Sequence, residues 1–232
     1  MFRRTIDSVR YACVLLSCLM LVQLTALAGP PLICHPYEIA GAQSLPWSNN
    51  ATNWRAVKSD YDLQRLVNDT LALLAPATPV IVRMETMRRA TIYAVWAGLD
   101  QKVGYAAKDK QVASELLARL QARAKQNPKD ALALFDAGYL LSSYQQSGWQ
   151  AGSQPTVDAY AQVRQAAEMS GDATMQFAAA LATQDKAAQR AHLQKAAAGA
   201  AEGSLLARNL VKHFSSQGRN LAELRNNLGA TK

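Results

Sequence analysis

The one local cluster of reactive side chains in this sequence is the tripeptide Cys34-His35-Pro36. A thiol beside an imidazole suits a haem ligand, a metal site, or a redox or catalytic thiol. A haem-attachment motif would place a cysteine where Pro31 stands. A zinc site needs about four ligands, and the only other histidines are His192 and His213. The cluster is therefore incomplete for each of these metal chemistries.

Thiol catalysis requires a base within hydrogen-bond reach of the sulfur. Neighbouring side chains of an extended segment point to opposite sides, so His35 is poorly placed to activate Cys34. The structural alternative is a small thiol buried in an apolar strip, with His35 at the surface. We predict no cofactor, and we keep Cys34 and His35 as the candidate cofactor or thiol site.

A group of arginines on two helical stretches forms a second candidate site. Residues 83–129 carry ten basic and four acidic residues, whereas the flanking parts of the chain are nearly neutral. A basic face attracts phosphate groups, anionic lipid or an acidic protein. In the alternative interpretation these charges are merely the solvated faces of two amphipathic helices. The candidate binding face consists of Arg83, Arg88, Arg89, Arg119 and Arg123.

Residues 1–28 have the pattern of a cleavable signal peptide. Three arginines precede an apolar run over residues 11–27, and the stretch ends in Ala26-Leu27-Ala28. The alternative is an uncleaved N-terminal anchor, because the run is about as long as the shortest membrane-spanning helices, roughly 17 residues. We expect cleavage after Ala28, a periplasmic or extracellular protein, and no transmembrane segment after the signal. Export also argues against a nucleic-acid partner.

Signal removal changes the cysteine and charge content of the chain. Cys13 and Cys18 would leave with the signal, so Cys34 would remain alone and no internal disulfide could form. The loss of three arginines and Asp7 lowers the formal net charge from +8 to +6. The mature fold must therefore be held together by its core.

The segment 29–58 is irregular, apolar and rich in proline. Prolines at positions 30, 31, 36 and 46 exclude a long helix. Its apolar residues are too numerous for a free linker. We expect an extended segment that lies against the rest of the protein, either filling a groove or covering a helix face.

Residues 59–232 are predicted to form a single α-helical domain. From Ser59 onward the apolar residues recur at helical spacing, and no segment alternates with a period of two. Ser59, Asn127, Asp172, Asp185, Ser204 and Asn220 are predicted helix caps, and Thr78-Pro79 is a further start signal. The predicted helices lie at about 63–74, 79–99, 109–126, 128–141, 155–169, 173–183, 186–198 and 205–215, with a last short one after Asn220.

Three of these helix starts indicate a loose repeat. Asp130, Asp172 and Ser204 precede similar apolar stretches at offsets of 42 and 32 residues. Gly138, with Ala137 before it, and the pair Ala178-Ala179 supply small residues within two of these stretches. Over residues 109–214 the chain resembles the tetratricopeptide-like family. The resemblance implies paired antiparallel helices in an array, and an irregular bundle is the alternative.

The paired-helix pattern favours a non-catalytic, exported helical-repeat protein that acts as a protein- or peptide-binding scaffold. The sequence contains no glycine-rich phosphate loop, no His-Glu-x-x-His, no Gly-x-Ser-x-Gly and no CxxC. We expect the five arginines to contact the partner, which suits an acidic protein or peptide. The alternative function is a cofactor- or thiol-bearing protein that uses Cys34 and His35. A hydrolytic enzyme without short local motifs is a third hypothesis.

Overall fold

The structure is a computed structural model that describes residues 32–48, 54–55, 57–96, 111–148 and 157–229. Within these ranges the regular structure is helical, apart from one isolated β-bridge between Trp47 and Val57. The all-α prediction is confirmed. The predicted signal peptide, residues 1–28, lies outside the described residues, so its cleavage stays a prediction.

The described residues contain nine α-helices, preceded by a 3-10 turn at Leu63–Arg65. The helices are α1 (Leu66–Leu73), α2 (Val80–Trp96), α3 (Gln111–Gln126), α4 (Ala131–Gln146), α5 (Ala159–Ser170), α6 (Ala173–Ala182), α7 (Lys186–Gly199), α8 (Leu205–His213) and α9 (Leu221–Leu228).

Most helix starts follow from local capping. Four predicted caps, Asp172, Asp185, Ser204 and Asn220, accept hydrogen bonds from backbone N–H groups in the first turns of α6 to α9. Such bonds satisfy donors that have no partner inside the helix.

Two predicted caps are wrong, and in each case a nearby aspartate takes the role. Asp62, not Ser59, accepts from the Gln64 N–H at the 3-10 turn. Asp130, not Asn127, accepts from two N–H groups at the start of α4. The Asn127 amide instead donates to a carbonyl of the preceding helix, 3.2 Å from the Arg123 oxygen.

Consecutive helices pack against each other as pairs, and small residues permit close approach. A Cβ atom on Gly138 of α4 would lie 2.7 Å from Cβ of Gln162 in α5, and one on Gly199 of α7 would lie 2.6 Å from Cβ of Ala173 in α6. Both distances are shorter than carbon atoms tolerate. Glycine is therefore required where these helices meet.

Helices α2, α4, α6 and α8 follow one another as neighbours, and we call them the inner row. Helix α4 contacts both α2 and α6, and α6 also contacts α8. The segment 32–48 lies across the inner row without regular structure of its own. Leu32, Ile33, Tyr37 and Leu45 from this segment are buried and join the common core. The expected packing of the segment on the helices is confirmed for these residues, but its backbone is not extended throughout. Turns lie at residues 32–33 and 39–42, and Ala40 and Gly41 have positive φ.

Candidate functional site

The richest polar contacts in the described residues lie where the segment 32–48 meets the inner row. We call this contact zone the inner groove. The groove side chains that touch the segment are Glu85, Arg88 and Arg89 of α2, Tyr139 and Gln146 of α4, Phe177 of α6, and Arg208, Asn209, Lys212 and His213 of α8.

Asn209 binds the segment through both backbone groups of one residue. Its Oδ1 accepts from the Glu38 N–H at 2.9 Å, and its Nδ2 donates to the Glu38 carbonyl oxygen at 2.9 Å. Asn209 is completely buried, and its Nδ2 also donates to the Leu205 carbonyl oxygen. One amide side chain thus pairs with an irregular backbone as a neighbouring β-strand would.

Two further acceptors of the groove bind backbone N–H groups of the segment. Glu85 Oε2 accepts from the Tyr37 N–H at 3.0 Å, and Gln146 Oε1 accepts from the Leu32 N–H at 2.9 Å. The Gln146 side chain also donates to the Leu181 carbonyl oxygen at the end of α6. These contacts replace the hydrogen bonds that the N–H groups of the buried residues Leu32 and Tyr37 would otherwise make with water.

Cationic side chains hold the carbonyl groups of the same segment. Arg88 Nη1 lies 3.1 Å from the Ile33 oxygen, and Arg89 Nη1 lies 2.6 Å from the Leu45 oxygen. Lys212 Nζ donates to the Pro36 oxygen at 2.7 Å. The groove therefore contacts the backbone of the segment from three points on α2 and α8.

The arginines predicted to form one exposed face do not share such a face. Arg83 and Arg88 are fully buried, and only 17% of the Arg89 side chain is exposed. Arg119 is exposed and pairs with Glu115, while Arg123 donates to the Leu74 carbonyl oxygen. The expectation of solvated arginines is wrong for Arg83 and Arg88.

The reason for their burial lies in the packing of α2. This helix contacts α1, α3, α4 and α6, and the segment covers another side. A buried cation requires a counter-ion or hydrogen-bond acceptors, and Glu85 and Asp136 provide them. The spacing of Glu85 three and four residues before Arg88 and Arg89 is the sequence signal that indicates this pairing.

Glu85 is the centre of the polar network in α2. Its carboxylate accepts from Arg88 at 2.8 and 2.9 Å and from Arg89 at 2.7 Å, besides the Tyr37 N–H. Burial alone raises the pKa of Glu85, but the two arginines outweigh it and hold the pKa below its ordinary value. Glu85 is thus a buried anion that orients two arginines and one backbone group.

Tyr37 is the side-chain anchor of the segment. Its ring stacks on His213 at a centroid distance of 4.7 Å and meets the edge of Phe177 at 6.1 Å. Its hydroxyl oxygen accepts from the Tyr139 hydroxyl at 2.8 Å. The pocket therefore fits an aromatic ring that also carries a polar atom.

His213 is held between two carbonyl groups. Nδ1 lies 2.9 Å from the Asn209 oxygen, and Nε2 lies 3.2 Å from the His35 oxygen. Burial lowers the pKa of His213 to about 4. A neutral ring carries a single N–H and donates to only one of these oxygens. The residue is a satisfied buried histidine, as is His192, which bonds Tyr160 and Gln176.

Cys34 and His35 are both half-buried in the segment. Burial raises the pKa of the Cys34 thiol, which disfavours the reactive thiolate. Burial also lowers the pKa of His35. Within the part of the chain that the structure describes, no three His, Cys, Asp or Glu side chains lie close enough to hold a metal ion.

Arg83 and Asp136 form a second buried ion pair behind the groove. Arg83 Nη1 lies 2.6 Å from Asp136 Oδ2, and neither side chain is exposed. Arg83 also donates to the Thr78 and Ala75 carbonyl oxygens and so attaches the α1–α2 turn to α4. Burial raises the pKa of Asp136 to about 6 even though Arg83 opposes this rise.

A surface depression of about 340 Å³ lies between α8 and α9. Ala207, Val211 and Leu221 supply apolar surface in it, and Arg208 and Lys212 belong to both the depression and the inner groove. The depression is therefore continuous with the place where the segment crosses α8.

The chain matches no family model, no curated protein and no solved structure. None of the helices in the described ranges has the length and apolar character needed to cross a membrane. Any statement about function therefore depends on the geometry of the inner groove.

Proposed function

We propose that this protein is a non-catalytic, exported helical-repeat scaffold that binds protein or peptide segments without helical structure along the inner row. The observation that carries the proposal is the contact of Asn209 with both the N–H and the carbonyl of Glu38. Binding of this kind recognises polypeptide backbone rather than one particular side chain.

The order of helix contacts supports a repeat array rather than an irregular bundle. The pairs α2–α3, α4–α5, α6–α7 and α8–α9 succeed one another, and the first helix of each pair contacts the first helix of the next. The close approaches at Gly138 and Gly199 recur within successive pairs. Stacked helix pairs produce extended binding surfaces, which agrees with the resemblance to the tetratricopeptide-like family.

The chain's own segment serves as a bound example of such a ligand. Between Leu32 and Leu45 the inner groove makes hydrogen bonds to three backbone N–H groups and four carbonyl groups, those of residues 32, 37 and 38 and of residues 33, 36, 38 and 45. A surface that satisfies so many groups of an irregular backbone is suited to holding a polypeptide.

A cleavable version of the full chain tests the proposal. A protease recognition sequence is inserted between Ser48 and Trp54 and cut after folding, so that the segment becomes a separate peptide. We expect the cleaved peptide to stay bound until excess labelled peptide of residues 29–48 is added. The labelled peptide should then exchange with it, which raises the fluorescence anisotropy of the label. A peptide of reversed sequence should not bind.

Asn209→Ala should weaken peptide binding by about tenfold, because it removes two part-buried hydrogen bonds to the Glu38 backbone. The matched control is Asn226→Ala at an exposed position of α9. Equal affinities of the two variants would contradict backbone recognition by Asn209, and equal binding of the reversed peptide would show that the association is non-specific.

A further inference from the structure

We infer that the inner groove selects an acidic segment of another protein, with tyrosine at the position of Tyr37, and that the chain's own segment is a replaceable substitute for it. This inference rests on the proposed function, because it names the class of ligand that the same groove takes.

The aromatic pocket is the first source of selectivity. Tyr37 is 4% exposed, and its hydroxyl is the acceptor for the buried Tyr139 hydroxyl. Phenylalanine would fill the same space but would leave the Tyr139 donor without a partner, a change that costs about tenfold in affinity. Stacking on His213 and contact with Phe177 require a ring at this position.

Charge is the second source of selectivity. The groove presents the cations Arg88, Arg89, Arg208 and Lys212 and one carboxylate, Glu85. The segment 32–48 contains a single acidic residue, Glu38, whose Oε1 lies 2.7 Å from Arg208 Nε. The groove thus carries more positive charge than its present occupant neutralises.

The surplus is concentrated beside the Cys34-His35 pair. Lys212 forms no ion pair among the described residues, and its ammonium donates to the neutral Pro36 oxygen. Position 35 lies in the chain between Ile33 and Pro36, whose carbonyl groups accept from Arg88 and Lys212. Burial, together with these two cations, lowers the pKa of His35. A carboxylate at position 35 would therefore gain an attraction that imidazole does not provide.

This surplus of charge favours a different protein over a second copy of this chain. A second copy would insert the same segment with the same single carboxylate, and so would leave the exposed Lys212 without an ion pair. The cis segment has the advantage of a local concentration on the order of millimolar. A foreign segment must therefore supply the missing negative charge and also apolar side chains for the sites of Leu32, Ile33 and Leu45, which are fully buried.

The test uses the cleaved full chain. It is unfolded in urea with reductant and refolded with excess of two competing peptides, and the ratio of bound peptides is measured by mass spectrometry after gel filtration. Each competition pairs the 29–48 peptide with one variant, His35→Glu or Tyr37→Phe. We expect the His35→Glu peptide to be enriched severalfold at low salt, with less enrichment at high salt, and the Tyr37→Phe peptide to be depleted about tenfold.

A protein variant identifies the cation that interacts with the carboxylate of the His35→Glu peptide. Lys212→Met should abolish the preference for the His35→Glu peptide. The matched control Lys195→Met, at an exposed position of α7, should keep it. The same preference in both variants would overturn the assignment to Lys212.

The outcomes separate this inference from the proposed function. If no peptide co-elutes with the protein, the proposed function fails. If peptides bind but neither substitution changes the ratio, the function stands and the ligand class is wrong. If the uncleaved chain forms a concentration-dependent dimer that added 29–48 peptide dissociates, the groove belongs to a second copy, and the inference is overturned.

Discussion

Glu85→Gln is the substitution that most directly tests the polar network beneath the segment. The carboxylate is 1% exposed and is the shared acceptor for Arg88, Arg89 and the Tyr37 N–H. Glutamine keeps the shape but removes the charge, so Arg88 becomes a fully buried cation without a counter-ion. Breaking a buried pair in this way costs about 3–5 kcal/mol.

Urea unfolding followed by circular dichroism measures this cost. With an m-value near 2–3 kcal/mol/M, the midpoint should fall by roughly 1–2.5 M. The matched control is Glu115→Gln, which removes the exposed partner of Arg119 and should change stability by less than about 1 kcal/mol. Release of the segment should also raise the rate at which a thiol reagent modifies the half-buried Cys34.

The pH dependence gives a second check on Glu85. Its pKa in the folded protein lies below the ordinary value of 4.5, so the folded protein binds this proton less tightly than the unfolded chain. The stability from Glu85 is therefore present at neutral pH and is lost as the pH falls below 4.5 through the folded-state pKa. The difference in free energy of unfolding between wild type and Glu85→Gln should therefore become smaller as the pH is lowered. A stability difference that does not change with pH would refute the reasoning. A shift of the urea midpoint no larger than that of Glu115→Gln would refute it as well.

Three other predictions concern the core, a second buried carboxyl and the N-terminal cluster. Gly138→Ala should destabilise the protein by about 1–3 kcal/mol in thermal unfolding, because its Cβ would lie 2.7 Å from that of Gln162; an unchanged melting temperature would contradict the close approach of α4 and α5. Asp136 should titrate near pH 6 in carboxyl NMR; since this pKa is raised, the folded state binds the proton more tightly, and this group alone makes stability decrease as the pH rises from about 4 to about 6. The exported protein should begin at Gly29 by N-terminal sequencing, and its absorbance spectrum and metal content should show no cofactor; a haem band, a bound metal or a reactive Cys34 thiol would favour the alternative function.

The helix starts were largely predictable, because capping depends on a few neighbouring residues. Asp172, Asp185, Ser204 and Asn220 each accept from N–H groups two or three residues ahead, and this interaction needs no distant part of the chain. Asp62 is the cap where Ser59 was predicted, and Asp130 is the cap where Asn127 was predicted. These two cases show the limit of local inference. Competing caps lie three residues apart, and small differences in turn geometry decide between them.

The candidate site was predictable only in part. Proline and apolar residues in 29–58 indicated a segment lying against helices, and residues 32–48 do so. The same periodicity suggested solvated arginines on α2, but Arg83 and Arg88 are buried. A helical pattern states which residues share a face; it does not state whether another element covers that face.

Local sequence therefore determined that this protein is all-α and where most of its helices begin, because hydrophobic period and capping act over a few residues. The tertiary structure alone decided that Glu38 meets Asn209, which lies 171 positions away in the chain, and that Tyr37 meets Tyr139 and His213. Contacts over such separations depend on how the helix pairs stack and on which groove remains for the segment. The inner groove, and with it the proposed ligand, exists only after that packing is complete.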